Sequence, residues 1–478
     1  MKKSVNSSFI QLTIVVFLGL TFPLVMQEGL FMDGLIYSTL SSNLSSGIGT
    51  YWNPSFSETI MNSFHGHPPL GFILESFLFD LLGNEFYVEK IYSFFTCLLT
   101  AFFIIKIWVK ISYSKEIKKL YWLPILLWIT VPRCFWAYNN NMLENTMGLF
   151  SIASLYCLLI ALNKKIYKQI LLFCISGALM LLSFLSKGFP GLFPLAFFLL
   201  YTLVNLKTYR IKKMLFHSSL LIILSSSIWF LFFYFNVEAK ENILEYLDIQ
   251  VFSSLSGKGV VGSRWHIMNV LFQELLIIIS ITILLIISKY KTSLKQLKDK
   301  PNALRLFLLF TLIGLSASVP IMISPKQLGF YITPSLPYFS IAFSILIAHI
   351  VHEYLNKINI NSTFFKVFKH QGYILFPLIL IYSFYNYGSY SRNHNMIQDI
   401  EIISEYIPRG STISISKQLS KSWSLMAYCQ RKFNINLDKS MNLQDYMLIK
   451  KDEPVIDDYI ILDIRTKDFS LIKKNKAP

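Results

Sequence analysis

The chain has 478 residues, of which 54% are hydrophobic and only 15% are charged, whereas soluble domains carry about 25% charged residues. This composition excludes an ordinary soluble globular protein. The formal net charge of +17 comes largely from lysines grouped between apolar segments, which is typical of cytoplasmic loops and argues against a nucleic-acid-binding protein. The five cysteines show neither metal-binding nor disulfide-framework spacing.

Eleven apolar segments alternate with short polar ones, without the two-residue alternation of barrel strands. Such segments are predicted to cross the ~30 Å hydrocarbon core as helices. The first has no small-x-small cleavage site after it, so we interpret it as an uncleaved span rather than a signal peptide. The predicted fold class is therefore an all-α polytopic membrane protein. The predicted spans are residues 9–27, 91–109, 120–136, 147–162, 170–185, 191–206, 214–237, 270–287, 304–323, 332–351 and 374–387.

Lysine and arginine residues fall mainly into alternate loops. With the N-terminus in the cytoplasm, the cytoplasmic segments contain 23 basic residues and the opposite side contains seven, counted up to the last span. This asymmetry predicts a cytoplasmic N-terminus, and we expect a multi-pass protein of the plasma (inner) membrane. Residues 70–82 are apolar but short for a span, and a full crossing there would invert every later loop. We interpret this segment as an interfacial or dipping helix.

The last part of the chain has a different character. Residues 411–416 and 459–464 alternate like strands, and residues 420–432 have the pattern of a short amphipathic helix. We predict that residues 1–388 form the membrane domain and that residues 389–478 form a small extracytoplasmic α/β domain.

Two acidic residues lie close to predicted span ends on the outer face. A carboxylate flanked by apolar residues at the membrane face, such as Asp33, is a functional candidate because its desolvation is costly. Asp33 could equally cap a helix over residues 35–44. Asn141 and Glu144 fit a capping box that begins the next span, and Glu144 could also face the same cavity as Asp33.

Other polar residues of the outer loops could bind an anion or a metal. His65 and His67 precede two prolines, so they could bind a metal or a phosphate, or belong to a turn that begins the next helix. Lys187, Arg264 and Lys326 lie where basic residues are few. Each could simply extend to the membrane interface, but together they could hold the phosphate of an anionic lipid.

The order of these features resembles the GT-C glycosyltransferases of the protein O-mannosyltransferase and lipid A aminoarabinose transferase kind. The features are an acid after the first span, His-Pro-Pro-Leu, an Asn-rich loop with an acid, Ser-Lys-Gly, and Lys-x4-Tyr-x2-Pro. They extend to about Pro337. The resemblance implies a membrane enzyme that transfers a sugar from a polyprenyl-phosphate donor to an acceptor lipid, glycan or protein on the extracytoplasmic face.

The resemblance also implies roles for individual residues. Asp33 would be the first-loop catalytic acid and Glu144 the second-loop acid, where aspartate is more usual in the family. Gly66 stands where some relatives have a metal-binding glutamate, so the resemblance does not decide whether a divalent metal is bound by His65 or His67. The candidate ligands of the lipid phosphate are His67, Lys187, Arg264, Lys326 and Tyr331.

The implied chemistry needs a base for the acceptor's proton and fixed positive charge for the departing phosphate. We expect Asp33 to be the base, with inversion at the anomeric carbon. Two other functions stay open at this point. One is a transporter or flippase of lipid-linked sugars, and the other is a polysaccharide polymerase or ligase of the same fold.

Overall fold

The computed structural model describes residues 3–253, 261–289, 301–440 and 444–475. The basic segment 290–300 and the last residues of the predicted C-terminal domain, 476–478, lie outside these ranges. Helices dominate up to residue 385. In chain order α1–α17 are Lys3–Val25, Met32–Ser45, Leu70–Leu82, Val88–Ile111, Lys115–Lys118, Trp122–Ile129, Pro132–Asn139, Leu143–Ala161, Ile166–Lys187, Phe197–Val204, Ile211–Phe235, Val237–Tyr246, His266–Ser288, Pro301–Ser318, Leu336–Lys357, Thr363–Lys369 and Gln371–Tyr385.

Irregular helical segments and one small hairpin interrupt this helical part. Three segments are wound as 3₁₀-helices, namely Phe189–Ala196, Val319–Ile323 and Gly329–Ser335. The segment Leu247–Phe252 is a π-helix. The hairpin pairs β1 (Gly49–Thr50) with β2 (Asn53–Pro54) in the loop after α2.

Within the described ranges, eight helices are long and apolar enough to cross a membrane, and two bent helix pairs raise the number to ten. Ten of the eleven predicted spans fall on these helices, and the remaining one is shorter. The predicted span 191–206 corresponds to the shorter apolar helix Phe189–Val204, whose first half is a 3₁₀-helix containing two prolines. The eight long helices are Lys3–Val25, Val88–Ile111, Leu143–Ala161, Ile166–Lys187, Ile211–Phe235, His266–Ser288, Asn302–Ile323 and Gly329–Lys357.

Two of the predicted spans are bent rather than straight. Residues 120–136 fall on Lys115–Ile129 and Pro132–Asn139, which meet at 77°. Pro132 begins the second helix of this pair, where its missing N–H costs nothing. Residues 374–387 belong to a second pair, which bends by 41°. The short segment 70–82 is helical over its whole predicted length as α3, and its 13 residues span only about 20 Å.

Helices α8 and α9 pack along each other through small hydroxyl side chains. Ser151 and Ser183 are 2.8 Å apart between their oxygens, and Ser154 and Ser176 are 2.7 Å apart. Ser151 also donates to the carbonyl of Gly191. Small residues allow close approach of membrane helices, and hydroxyl pairs hydrogen-bond across the contact. This contact fixes the start of α8 against the end of α9.

The C-terminal unit, residues 389–475, combines a five-stranded mixed sheet with two helices. The strand order is β4-β3-β5-β7-β6. β3 pairs in parallel with β4 and β5, and β7 pairs antiparallel with β5 and β6. The predicted α/β character of this region is confirmed. The elements are α18 (His394–Ser404), β3 (Thr412–Ile415), α19 (Trp423–Phe433), β4 (Asn436–Asp438), β5 (Tyr446–Lys450), β6 (Tyr459–Ile461) and β7 (Phe469–Lys474).

The C-terminal unit shares a hydrophobic core with the loop region that follows α1. Leu35 and Leu40 of α2 belong to the same buried cluster as Leu425 and Met426 of α19. A backbone bridge between Glu28 and Tyr390 adds to this contact. The unit is therefore packed directly on α2, the helix whose first turn contains Asp33.

Candidate functional site

A cavity of about 840 Å³ lies where the start of α8 and the ends of α9 and α12 meet the segments around residues 67 and 326. One part of its wall is polar and another is apolar. The polar lining residues include His67, Glu144, Lys187, Tyr246, Gln250, Lys326 and Tyr331. The apolar lining residues include Leu192, Leu195, Ala196, Leu200, Leu312, Leu315 and Val319.

Glu144 and Lys187 form a buried ion pair at this cavity. The Glu144 Oε1 atom is 2.6 Å from Lys187 Nζ, and the two side chains are only 1% and 7% exposed. The pair joins the first turn of α8 to the last residue of α9. In a low-dielectric environment, the charge of each side chain is costly without its partner. Two residues that are 43 positions apart in the sequence thus form one electrostatic unit.

Three aromatic rings surround the Lys187 ammonium. Its Nζ atom lies 5.8 Å from the ring centre of Tyr37, 5.5 Å from that of Phe330 and 5.1 Å from that of Tyr331. Rings within about 6 Å attract a cation through their quadrupole. This cage holds the ammonium at the edge of the cavity and limits the positions that it can adopt.

Gly188 ends α9 with a backbone conformation of φ 84° and ψ −150°, which is essentially restricted to glycine. A Cβ atom at this position would also overlap the hydroxyl of Tyr246. The glycine therefore lets Tyr246 approach the residue that follows Lys187. This turn and this contact explain why the Ser-Lys-Gly motif has a glycine at its third position.

We expect Gly188→Ala to destabilise the protein by about 1–3 kcal/mol through backbone strain and also to impair activity by displacing Tyr246 from the cavity. Gly410 of the C-terminal unit is a control, because its φ is also positive, at 82°, and a Cβ atom added there would meet none of the described residues within 4 Å. Gly410→Ala should also cost stability and leave activity per folded molecule unchanged. Equal activity of the two variants would show that the Tyr246 contact does not matter.

Asp33 lies in the first turn of α2, which begins at Met32 with Phe31 as its N-cap and no side-chain cap. The alternative that Asp33 caps a helix over residues 35–44 is therefore wrong, because the helix begins before Asp33. The Asp33 side chain is partly exposed and is not among the cavity-lining residues. Burial raises the pKa of its carboxyl, while the nearby charges of Lys187 and Lys326 oppose the increase. Asp33 thus lies in the electrostatic field of the two cavity lysines.

The start of α2 packs closely against the Asn-rich loop. Phe31 N donates to Asn140 Oδ1 over 2.7 Å, and a Cβ atom at Gly34 would overlap the Asn140 carbonyl oxygen. Gly34 is thus the residue that allows α2 to lie against this loop. The contact fixes the turn that contains Asp33.

The predicted capping box at Asn141 and Glu144 is absent. α8 begins at Leu143, its N-cap is Met142, and no side chain caps it. The Asn141 amide instead donates to both carboxylate oxygens of Glu75, each over 3.0 Å. Burial raises the pKa of Glu75 to about 8, and the Asn141 side chain is directed to this internal acid rather than to the start of α8.

The two loop histidines have different surroundings. His65 Nδ1 lies 3.1 Å from Asn242 Nδ2, and His65 Nε2 lies 2.7 Å from Glu245 Oε2, so His65 anchors α12. His67 lines the cavity, and its buried Nδ1 has no hydrogen-bond partner in the described ranges. Burial and the two lysines lower the pKa of His67. Within the described part of the chain, no group of three His, Cys, Asp or Glu residues could hold a metal ion.

The remaining predicted cation ligands divide into two groups. Lys326 and Tyr331 line the cavity, and Lys326 makes no ion pair with any residue that the structure describes. Arg264 is exposed, and its guanidinium donates to the carbonyl oxygens of Met322 and Ile323. Arg264 is not a lining residue, and its contacts are with residues 322, 323 and 327 on either side of Lys326.

Sequence reasoning missed several residues of the site. Tyr37 could have been found, because it lies four residues after Asp33 and therefore on the same face of a helix. Phe330 could have been suggested by its position beside Tyr331 within the Lys-x4-Tyr motif. Tyr246 and Gln250 carry no such signal, since only the folded position of α12 brings them to the cavity.

Comparison with solved structures identifies the fold. The structure of ArnT from Cupriavidus metallidurans bound to undecaprenyl phosphate superimposes with a TM-score of 0.65 at 12% sequence identity, and the match covers 97% of each chain. The chain has the GT-C fold. The apo form of the same ArnT gives a TM-score of 0.64. The resemblance drawn from motif order is therefore confirmed at the level of the fold.

A second GT-C structure supports the same assignment over a smaller share of its own length. The oligosaccharyltransferase AglB from Archaeoglobus fulgidus, in complex with an inhibitory peptide and a dolichol-phosphate, gives a TM-score of 0.52 at 12% identity. The match covers 93% of this chain and 69% of AglB. No protein-family model and no curated protein sequence matches this chain.

Proposed function

We propose that this protein is a membrane glycosyltransferase that moves a sugar from a polyprenyl-phosphate donor to an acceptor. The observation that carries the proposal is a single cavity that combines an apolar wall with the Glu144–Lys187 pair and with Lys326, which pairs with no described acid. The GT-C fold supports it, because ArnT was solved with undecaprenyl phosphate and AglB with a dolichol-phosphate. Such a donor is itself an apolar chain ending in an anion.

The two parts of the cavity wall match the two parts of this donor. The polyprenyl chain would lie along the apolar side, between the 3₁₀-helix Phe189–Ala196 and α14. The phosphate would be held by Lys326, with His67 and Lys187 beside it. Fixed positive charge in a water-poor site stabilises the negative charge that develops on the leaving phosphate. Arg264, whose guanidinium is used by two carbonyl groups, would act only at the rim.

Asp33 is the proposed base. The acceptor's oxygen or nitrogen would attack the anomeric carbon as the bond from that carbon to the phosphate oxygen breaks. Asp33 would take the acceptor's proton, and the polyprenyl phosphate would leave as the anion, with inversion at the anomeric carbon. Glu144 would hold Lys187 in place and help to orient the sugar. The site would face the extracytoplasmic side of the plasma membrane, with the N-terminus in the cytoplasm and residues 389–478 as an outer domain.

The pH dependence of the reaction offers a test of Asp33. A base works only when it is ionised, so kcat/KM should fall as the pH drops through the pKa of Asp33. Because burial raises this pKa above the ordinary value of 3.8, the acidic limb should lie above that value. The charge of Lys326 lowers the pKa of Asp33, so Lys326→Met should move the limb to still higher pH. A limb that does not move in this variant would contradict the assignment.

The transfer reaction can be tested directly and separated from lipid movement. Purified protein would be reconstituted in vesicles that contain a polyprenyl-phosphate sugar labelled in the sugar, together with candidate lipid, glycan and peptide acceptors. Release of free polyprenyl phosphate with label in an acceptor is the expected result. Movement of intact labelled lipid across the vesicle membrane without cleavage would overturn the proposal in favour of a flippase. Label in polymers of linked oligosaccharides would indicate a polymerase or ligase.

A further inference from the structure

Helix α19 of the C-terminal unit contacts α2 along much of the length of α2. Leu30 N, just before α2, donates to the Tyr428 hydroxyl over 3.3 Å. Thr39 Oγ1 donates to the Ala427 carbonyl over 3.4 Å. All four residues lie in the buried interface of the two elements. The first helix of the proposed active site is thus hydrogen-bonded to a part of the chain almost 400 residues away.

Arg431 of α19 lies at the centre of a second set of contacts. The residue is 4% exposed. Its Nη2 donates to the Glu89 Oε2 atom over 2.8 Å and to the Glu85 carbonyl over 2.9 Å. Its guanidinium lies 4.4 Å from the ring centre of Phe79. These contacts attach α19 to the α3–α4 corner of the helical part.

Asn84 connects this arginine to α2. The Asn84 Oδ1 atom accepts hydrogen bonds from Arg431 Nη1 and from Ser42 Oγ, the latter over 2.8 Å. Asn84 also donates to the Arg431 carbonyl. Arg431 therefore fixes the amide that holds the C-terminal end of α2.

We propose that Arg431 is a positioning residue for the transfer reaction, which holds α2 so that Asp33 stays beside the cavity. The proposal rests on the base role proposed for Asp33. Ser42 and Asp33 are nine residues apart on one helix, about 14 Å along its axis. The start of α2 lies against Asn140 at Gly34, so a helix released at Ser42 would pivot about this contact.

The chemistry of Arg431 favours a geometric role over a purely stabilising one. A buried ion pair adds little stability compared with apolar residues of the same size. A guanidinium, however, presents several donors in a rigid planar fork, which fixes the relative positions of its partners. Here the partners are Glu89, the Glu85 carbonyl and Asn84, so one side chain sets the distance between α4 and α2.

Kinetics of two variants test the proposal. Arg431→Met and the milder Ser42→Ala, which removes only the link from α2 to Asn84, should lower kcat per folded molecule with little change in the KM for the donor. Misplacement by about 1 Å can cost up to about 10²-fold in rate, which we expect for Arg431→Met, with a smaller loss for Ser42→Ala. Because both act through Asn84, the double variant should lose less than the product of the single losses. Fully multiplicative losses would overturn the proposal.

Asp399→Asn is the matched control within the C-terminal unit. Asp399 is 1% exposed and accepts from the backbone N–H groups of Lys467, Asp468 and Phe469, away from α2. The variant should lower the stability of the unit but leave kcat per folded molecule unchanged. If Asp399→Asn lowers kcat as much as Arg431→Met, the effect of Arg431 is general destabilisation and the proposal is wrong.

A readout without catalysis separates this proposal from the proposed function. Amide hydrogen exchange reports local opening, so peptides covering residues 32–45 should exchange faster in Arg431→Met and Ser42→Ala than in the parent and in Asp399→Asn. Unchanged exchange in α2 would overturn the positioning role, whatever the activity. Faster exchange with an unchanged kcat would overturn it as well. If the parent protein transfers no sugar but α2 still exchanges faster in the two variants, the proposed glycosyltransferase function is wrong. The link between Arg431 and α2 would then remain supported.

Discussion

Replacement of Asp33 by asparagine is expected to lower sugar transfer by about 10²–10⁴-fold, which is the usual contribution of a positioned general base. Asparagine keeps the size of the side chain and the first turn of α2, but it cannot accept the proton of the acceptor. Protein yield, membrane insertion and donor affinity should therefore change little. The rate of polyprenyl-phosphate release from a saturating donor is the measurement that checks this.

Glu58 provides the control for Asp33. It lies in the same loop region and is exposed, and Glu58→Gln removes the same unit of charge without touching the cavity. We expect the parental rate from Glu58→Gln. The base assignment fails if Asp33→Asn keeps the parental rate, and it loses its specificity if Glu58→Gln is equally impaired.

Lys187→Met is expected to destabilise the folded protein by about 3–5 kcal/mol, because removal of one member of a buried ion pair leaves the other charge unpaired. The charge left behind would be Glu144, which is 1% exposed. The loss of the cation between Tyr37, Phe330 and Tyr331 removes the cation–π contacts as well. Equilibrium unfolding in detergent micelles, followed by tryptophan fluorescence, measures the free energy of unfolding.

The double variant Lys187→Met with Glu144→Gln distinguishes charge from packing. Both buried charges are then absent, so a large part of the lost stability should return. Activity should stay low, since the site lacks a cation beside the donor phosphate. If the double variant is as unstable as the sum of the single variants, the two residues do not act as a pair in the protein.

The membrane fold could be predicted from the sequence because long apolar segments have few alternatives in lipid. Hydropathy did not reveal, however, that the predicted span 191–206 begins within the 3₁₀-helix Phe189–Ala196, which lines a cavity. The C-terminal unit was predicted from alternation at residues 411–416 and 459–464. Its strands β4, β5 and β7 were not predicted, although β5 and β7 are apolar and β-branched in part.

The candidate site was predicted in part. Asp33, Glu144, Lys187 and Lys326 were selected as candidates because charged side chains are few on one face of an apolar protein, and the structure brings the two lysines and Glu144 to one cavity. Local patterns were less reliable. The predicted capping box is absent because the Asn141 side chain donates to Glu75. Glu75 lies 66 residues earlier in the chain, so a local sequence pattern does not include it. Contacts between distant segments decide such cases.

Residue roles that depend on tertiary contacts could not be predicted from the sequence. Arg264 looked equivalent to Lys326 as an outer-loop cation, yet its guanidinium is used by the carbonyl groups of residues 322 and 323. Arg431 showed no signal at all, because its partners lie about 340 positions earlier. Hydrogen bonds of this kind depend on the docking of the C-terminal unit, which no periodicity predicts.

The most direct test of the sugar-transfer account is the mass of the lipid that co-purifies with the protein when the chemical step is blocked. Lipids extracted from purified Asp33→Asn and Glu58→Gln proteins would be compared by mass spectrometry. We predict an intact polyprenyl-phosphate sugar with Asp33→Asn, and free polyprenyl phosphate as the main carrier with Glu58→Gln. The absence of any polyprenyl lipid from both proteins, or the same uncleaved lipid in equal amount with both, would contradict the account.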